Sequence, residues 1–278
     1  MTGKRKRALR RAALDALALL LALLVLFPVL YGVCGAFKTP AEFSAWPPSV
    51  LPESFLNLRN FAQVFRQAPM LRYYLNSFAV AGMTSLVRIA LAVLAAYAFV
   101  FFNFPGHKLC FFLLLGTMMM PADTLTVANY QTVSRMGLID TYLGMGIVSF
   151  AGAAQMFMLR QHFLTSPRAL REAAMLDGCG DLRFLLSVLM PTASPLLTTL
   201  FLQSFLTQWN AYLWPLLVTN RPEMRTVQIG LTMLTTPEAT NYEVMLAGAA
   251  VVMLPAMLLY ALLRRRVSRA MESGPLLS

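Results

Sequence analysis

The chain has 278 residues, 58% of them hydrophobic and only 13% charged, with a net charge of +11. A water-soluble domain of that composition would expose large apolar patches, so the chain belongs in a bilayer. Its basic residues cluster at the edges of apolar runs, which is a topology signal and not a groove for phosphates, and this argues against a nucleic-acid-binding protein.

Residues 1–11 carry Lys4, Arg5, Lys6, Arg7, Arg10 and Arg11, ahead of an uncharged run over 16–37. That run is long enough for a hydrocarbon core of about 30 Å, and the Tyr-Gly-Val before Cys34 lacks the small residue of a lipoprotein cleavage site. The expectation is an uncleaved first span with a cytoplasmic N-terminal segment, residues 1–15, and Asp15 at the headgroup level. Residues 38–71 hold Pro47, Pro48, Pro52 and Pro69, which preclude a spanning helix and predict an external loop with a short surface helix around 57–67. The second span, 76–102, has Arg88 near its middle. A charge at that depth has a partner, either an ion-pair partner on another helix or subunit or the transported solute.

Residues 103–108 form a tight turn in which His107, beside Lys108, is expected to be solvated. A third span begins at Leu109 and carries Pro121 and Asp123 near its outer end. Asp123 either lines the mouth of a pathway or is an interfacial carboxylate. The fourth span, 142–159, contains Gly144, Gly146 and Gly152, which permit close helix packing. Arg160 marks its inner face, and His162 reads as structural. Cys34, Cys110 and Cys179 have neither metal spacing nor a disulfide pattern.

A polar island, residues 168–195, then interrupts the apolar runs. Ser166 reads as an N-cap and Pro167 as the first helical residue. Leu170, Ala173, Ala174 and Asp177 follow at helical spacing, and Gly178 and Gly180 can take the left-handed conformation that stops a helix. Asp181 can cap a second short helix, 182–190, ending before Pro191. These residues alone describe either a docking helix-turn-helix or an ordinary cytoplasmic loop. Glu172-Ala173-Ala174, three residues, Gly178, nine residues and Val188-x-Met190-Pro191 resemble the EAA loop of the permease subunits of bacterial ABC importers. Val188 and Met190 replace the usual Ile and Leu, and Phe184 stands where that family often has an aromatic residue. In the family the loop is a coupling helix seated in a groove of the ATPase. The resemblance therefore implies an ATPase-coupling role for Glu172, Ala173, Ala174, Asp177, Gly178 and Pro191. Asn76-Ser77, the run 95–99, the 103–108 turn and Pro121-x-Asp123 are similar to the sugar and glycerol-phosphate importer permeases.

The fifth span, 192–218, carries Thr199, Gln203, Thr207, Asn210 and Trp214 at spacings that place them on one helix face. Such a stripe in lipid must face other helices or water, so inter-helix bonding and pathway lining are both open. Trp209-Asn210-x-x-x-Trp214-Pro215 resembles the W-N pattern of the same permeases. Residues 221–242 form an outer loop, and 243–263 a sixth span kinked at Pro255. Arg264, Arg265, Arg266 and Arg269 open a C-terminal tail, 264–278, that departs from the Gly-rich tail of many relatives. With both termini inside, fifteen Lys and Arg fall on the cytoplasmic side and seven outside, leaving Arg88 within a span.

There is no G-x-x-x-x-G-K-[ST] loop for ATP, no histidine cluster and no acid pair, so no catalytic, metal or cofactor site is expected in this chain. An ion-gradient-driven secondary carrier is the alternative class, although no inverted repeat is visible. The resemblance implies an all-α, six-helix, type I ABC importer permease fold in the bacterial inner membrane. Its transmembrane domain would cover 16–263, with the coupling loop at 163–191. It further implies a second permease, ATPase subunits that bind ATP and Mg, and an extracytoplasmic solute-binding protein. Arg88, Asp123, Gln203, Thr207, Asn210 and Trp214 are the candidates for a sugar or sugar-like pathway.

Overall fold

The computed structural model describes residues 3–234 and 241–272, with 3–9, 122, 123, 168 and 263–272 in backbone only. All regular elements among them are helical. In order they are α1 (Gly3–Gly35), α2 (Pro40–Ser44), α3 (Arg59–Gln67), α4 (Met70–Phe101), α5 (His107–Thr117), α6 (Thr126–Arg135), α7 (Tyr142–Gly146) and α8 (Ala153–Leu164). They continue with α9 (Arg168–Leu176), α10 (Asp181–Phe184), a π-helical segment Leu185–Leu189, α11 (Met190–Thr192), α12 (Ser194–Trp209), α13 (Leu213–Val218), α14 (Val227–Thr232) and α15 (Tyr242–Glu272).

Among the described residues three helices are long and apolar enough to cross a membrane, Arg10–Gly35, Met70–Phe101 and Tyr242–Leu262. The number rises to five if each of two bent pairs, Tyr142–Ser149 with Ala153–Leu164 and Asp181–Thr192 with Ser194–Trp209, is one span. The expected third span is only the 11-residue α5, about 16 Å long, followed by a turn, Pro121 and a 3₁₀ segment, Ala122–Leu125. Pro121 cannot donate to a continuing ladder. Asp123 lies in that 3₁₀ segment, and its side chain is outside the described residues, as are the side chains of Arg264, Arg265, Arg266 and Arg269 and the end of the tail.

The fourth and fifth spans also differ from unbroken helices. Between α7 and α8 the chain bends by 54° through a 3₁₀ turn, Ile147–Ser149, and Gly152. Between α11 and α12 it bends by 82° at Ala193, because Pro195 cannot donate back to the carbonyl of Pro191 and so begins a new helix. A further break at 210–212 separates α12 from α13, where Pro215 in the first turn likewise cannot donate to the carbonyl of Ala211. Pro28 and Pro255, in contrast, lie inside continuous helices.

The helices form two compact units, Met1–Met70 with Leu231–Leu254, and Leu71–Gly230 with Pro255–Ser278. In the first, α1 meets the start of α15 through small residues. A Cβ on Gly35 would stand 2.6 Å from Leu246 Cδ1, and one on Gly32 3.8 Å from Leu246 Cδ2. In the second unit, α4 carries an apolar cluster at each end. Val80 packs with Val133, Met145 and Val218, while Ala92, Ala96 and Phe99 pack with Leu159, Phe163, Phe184 and Leu189. Thr84, Ser85 and Arg88 lie on α4 between the two clusters.

Candidate functional site

The polar island folds as a helix, a tight turn and a second helix. Pro167, and not Ser166, is the N-cap of α9, with extended backbone, so the helix starts one residue later than expected, and no side chain caps it. At its other end Asp177 is the C-cap and Gly178 has φ of 72°. Gly178 N–H donates to the Met175 carbonyl (3.0 Å) and Cys179 N–H to that of Ala174 (2.9 Å), the paired bonds of a Schellman motif. Gly180 is extended (φ −69°), so the left-handed expectation holds for Gly178 only. The second helix begins at Asp181 and carries Pro191 inside it. The π-helical segment shifts the hydrogen-bond register just before Pro191, which therefore does not end the helix.

Asp181 does not cap its helix. Its Oδ1 accepts from Tyr97 Oη (2.7 Å) and Arg171 Nη2 (3.0 Å), while the Arg171 guanidinium lies 5.2 Å from the centre of the Phe101 ring. Phe184 is buried and meets Phe101 edge-on at 5.9 Å. The loop is thus fastened to the last turns of α4 by one shared carboxylate and two aromatic contacts. A 430 Å³ cleft lies beside this fastening, lined by Phe101, Asn103, Ser166, Arg171, Glu172 and Met175 among others. The two alanines of the motif diverge, since Ala174 packs on the apolar cluster while Ala173 is exposed. Glu172, Asp177 and Pro191 are exposed, and the apolar Leu176 is 89% exposed. His107, expected to be solvated, is half-buried between Phe99 and Phe104, and its Nε2 donates to the Phe99 carbonyl (2.9 Å).

The polar stripe divides. Gln203 and Thr207 are exposed on α12, and Thr207 Oγ1 donates to its own helix at the Gln203 carbonyl (2.9 Å). Thr199 does the same to Pro195 (3.0 Å). Asn210, the C-cap of α12, is exposed and accepts from Gln228 Nε2 (3.1 Å). Trp214 falls beyond the helix break, and its indole N–H donates to the Gly144 carbonyl (3.2 Å), so it serves an inter-helix bond. Trp209 is buried among Tyr74, Phe78 and Phe205. Arg88 is apart from the stripe, and its Nε donates to the Ser149 carbonyl (2.6 Å) at the α7–α8 break, so among the described residues its partner is a backbone oxygen and not an acidic side chain. The structure therefore brings together Gln203, Thr207 and Asn210, and sets Trp214 and Arg88 elsewhere.

A second polar centre lies at the other end of α4. Asn76 Nδ2 donates to the carbonyls of Glu223 (2.7 Å) and Arg225 (2.9 Å), its Oδ1 accepts from Tyr142 Oη (2.8 Å), and Ser77 Oγ accepts from Val227 N–H (2.8 Å). Asp140, at φ 58°, accepts from Asn220 and Arg221 N–H (2.7 and 2.9 Å). These bonds hold the segment 220–227 against α4 and the turn before α7.

Comparison with known proteins bears on this arrangement. The sn-glycerol-3-phosphate transport system permease protein UgpE of Agrobacterium fabrum is 32% identical over 252 residues, covering 87% of this chain and 89% of the relative. UgpE of Brucella abortus is 33% identical over 251 residues with the same coverage. Among solved structures, a bacterial ABC transporter involved in the import of the acidic polysaccharide alginate superposes with a TM-score of 0.83 at 20% identity, over 95% of this chain and 98% of that one. A second alginate transporter structure, in complex with a pentasaccharide-bound periplasmic protein, gives 0.68 at 14% identity over 97% of each chain. Residues 16–273 match the family described as binding-protein-dependent transport system inner membrane component, and the chain belongs to that family.

Proposed function

We propose that the chain is one of two permease subunits of an ATP-driven importer, and that α9 is the helix through which ATPase subunits drive it. The observation that carries this reading is the form of the loop. It presents Glu172, Ala173, Leu176 and Asp177 outward while Tyr97, Phe101 and the apolar cluster grip its inner side. An exposed apolar residue such as Leu176 on a rigidly fastened helix fits a surface made to be covered. ATP and Mg would be held by the partner ATPase, and the solute delivered by an extracytoplasmic binding protein.

In this reading the chain crosses the membrane six times with both termini in the cytoplasm. The α5 to α6 segment supplies the third crossing, and the bent pairs the fourth and fifth. Gln203, Thr207 and Asn210 offer amide and hydroxyl groups to a hydroxylated solute of the carbohydrate or glycerol-phosphate class, and the names of the UgpE relatives favour the second. Asp123 is a candidate for the outer mouth. Uptake of labelled sn-glycerol-3-phosphate and of neutral sugars, in cells with and without this chain, tests the reading. Loss of uptake of one of them on deletion, together with dependence on a co-expressed ATPase, is expected; uptake that persists without any ATPase would point to an ion-driven carrier instead.

A further inference from the structure

The stretch 45–58 exposes Trp46 (90%), Leu51 (63%) and Leu56 (89%), and Glu53 is its one ionisable residue. Its position is fixed by bonds to the end of α1. Lys38 Nζ donates to the Ser49 carbonyl, Asn57 Nδ2 to that of Phe37 (2.9 Å), and Asn60 Nδ2 to those of Ala36 and Lys38 (both 2.8 Å). Glu53 N–H donates to Glu42 Oε2 (3.0 Å), and the Phe55 ring meets that of Phe37 at 5.6 Å. The loop therefore cannot project away from the span; it is folded back on residues 36–38.

The depth of those residues follows from the length of α1. Arg10, Arg11 and Asp15 mark one edge, and the side chains from Ala16 to Leu30 are exposed and apolar. About twenty residues of helix cross a hydrocarbon core of about 30 Å, which brings the far edge close to Tyr31. Residues 31–38 then fall in the headgroup layer, where Lys38 lies over the Tyr31 ring at 5.2 Å. Tryptophan and uncharged apolar side chains held at that level are the composition of a membrane interface.

We propose that the loop 45–58 beds into the headgroup–acyl boundary of the leaflet opposite the N-terminus, and so sets the depth of the first span. The inference rests on α1 crossing the membrane, and not on which solute is carried or how transport is driven.

The test uses the full chain assembled with its partner subunits in nanodiscs containing phospholipids brominated either near the glycerol end or near the end of the acyl chains. The difference between wild type and Trp46→Phe isolates the Trp46 emission. That emission should be blue-shifted, lose most of its intensity to shallow bromines, lose less to deep ones, and respond little to aqueous iodide. Iodide quenching without bromine quenching would place the loop in water and overturn the proposal. Protection from both quenchers, or iodide quenching that vanishes when a solute-binding protein is added, would assign the surface to a protein and overturn it equally. Leu56→Trp provides a second reporter at an exposed site should Trp46→Phe fail to assemble, and its added emission should show the same bromine preference. Uptake is measured separately, so a chain that fails to transport and a loop that fails to meet lipid are distinct outcomes.

Discussion

Gly178 has φ of 72°, and no atom lies within 4 Å of where a Cβ would stand, so backbone conformation and not space restricts this position. Gly178→Val should cost about 1–2 kcal/mol locally, because a β-branched residue resists positive φ, whereas Asn tolerates it. ATP-driven uptake in proteoliposomes is expected to collapse for Val and to survive in part for Asn, while both variants still insert; equal uptake by the two would show that the turn is not needed for coupling. The Tyr97–Asp181–Arg171 fastening yields a second prediction. Tyr97→Phe removes one hydrogen bond, worth about 0.5–1.5 kcal/mol. The Arg171–Asp181 pair, with side chains 25% and 39% exposed, adds little by itself because solvent screens it. Hydrogen exchange should therefore quicken over residues 171–181 in Tyr97→Phe and stay unchanged over 220–227; unchanged exchange in both would mean the bond does not hold the loop. The left-handed turn was legible because few residues other than glycine adopt it. The fastening was not, since Tyr97 reads as one more member of an apolar run and its partner lies 84 positions away.

Local sequence also limits what could be read about the helices. The long apolar runs of α1, α4 and α15 announce themselves by length, and Pro28 in α1 and Pro255 in α15 did not break them. The bends in the fourth and fifth spans depend on what packs against them. A Cβ on Gly146 would stand 2.6 Å from Thr84 Oγ1, and one on Gly152 2.4 Å from Gln155 Oε1 and 2.9 Å from Arg88 Cγ. Glycine there admits α4 side chains, and Arg88 satisfies the carbonyl of Ser149, which lies in the break. The sequence showed small residues and a buried cation but not that they meet. Gly152→Ala should overpack this junction at a cost of about 1–3 kcal/mol, lowering the thermal midpoint of the detergent-solubilised chain. Gly82→Ala, with nothing within 4 Å of its Cβ position on the same α4, should leave the midpoint at or above wild type, and equal midpoints for the two variants would contradict a tight α4 contact at the break.

At the scale of the whole molecule, the surface of α12 decides between transport pathway and helix glue. Its two faces are chemically distinct. Ser204 and Gln208 are buried, and Gln208 Nε2 reaches the Met145 carbonyl at 3.5 Å, whereas Gln203 and Thr207 face outward. Asn210 is held by Gln228, while the exposed Gln203 amide has no side-chain partner among the described residues. Gln203→Leu therefore removes nothing that holds the chain together, and Asn210→Leu removes one exposed bond. If this face lines the pathway, each replacement removes contacts to a hydroxylated solute worth about 0.5–1.5 kcal/mol net, a several-fold fall in uptake. Complex assembly and basal ATP hydrolysis should then survive. If the face instead binds a neighbouring helix of the partner permease, the same changes should loosen the complex by about 0.6 kcal/mol each, with transport per intact complex unchanged. Uptake and detergent stability measured on the same preparations separate the two. Gln203→Leu is the cleaner variant, because any loss of assembly it causes must come from a contact outside the chain, and that result would refute the pathway assignment.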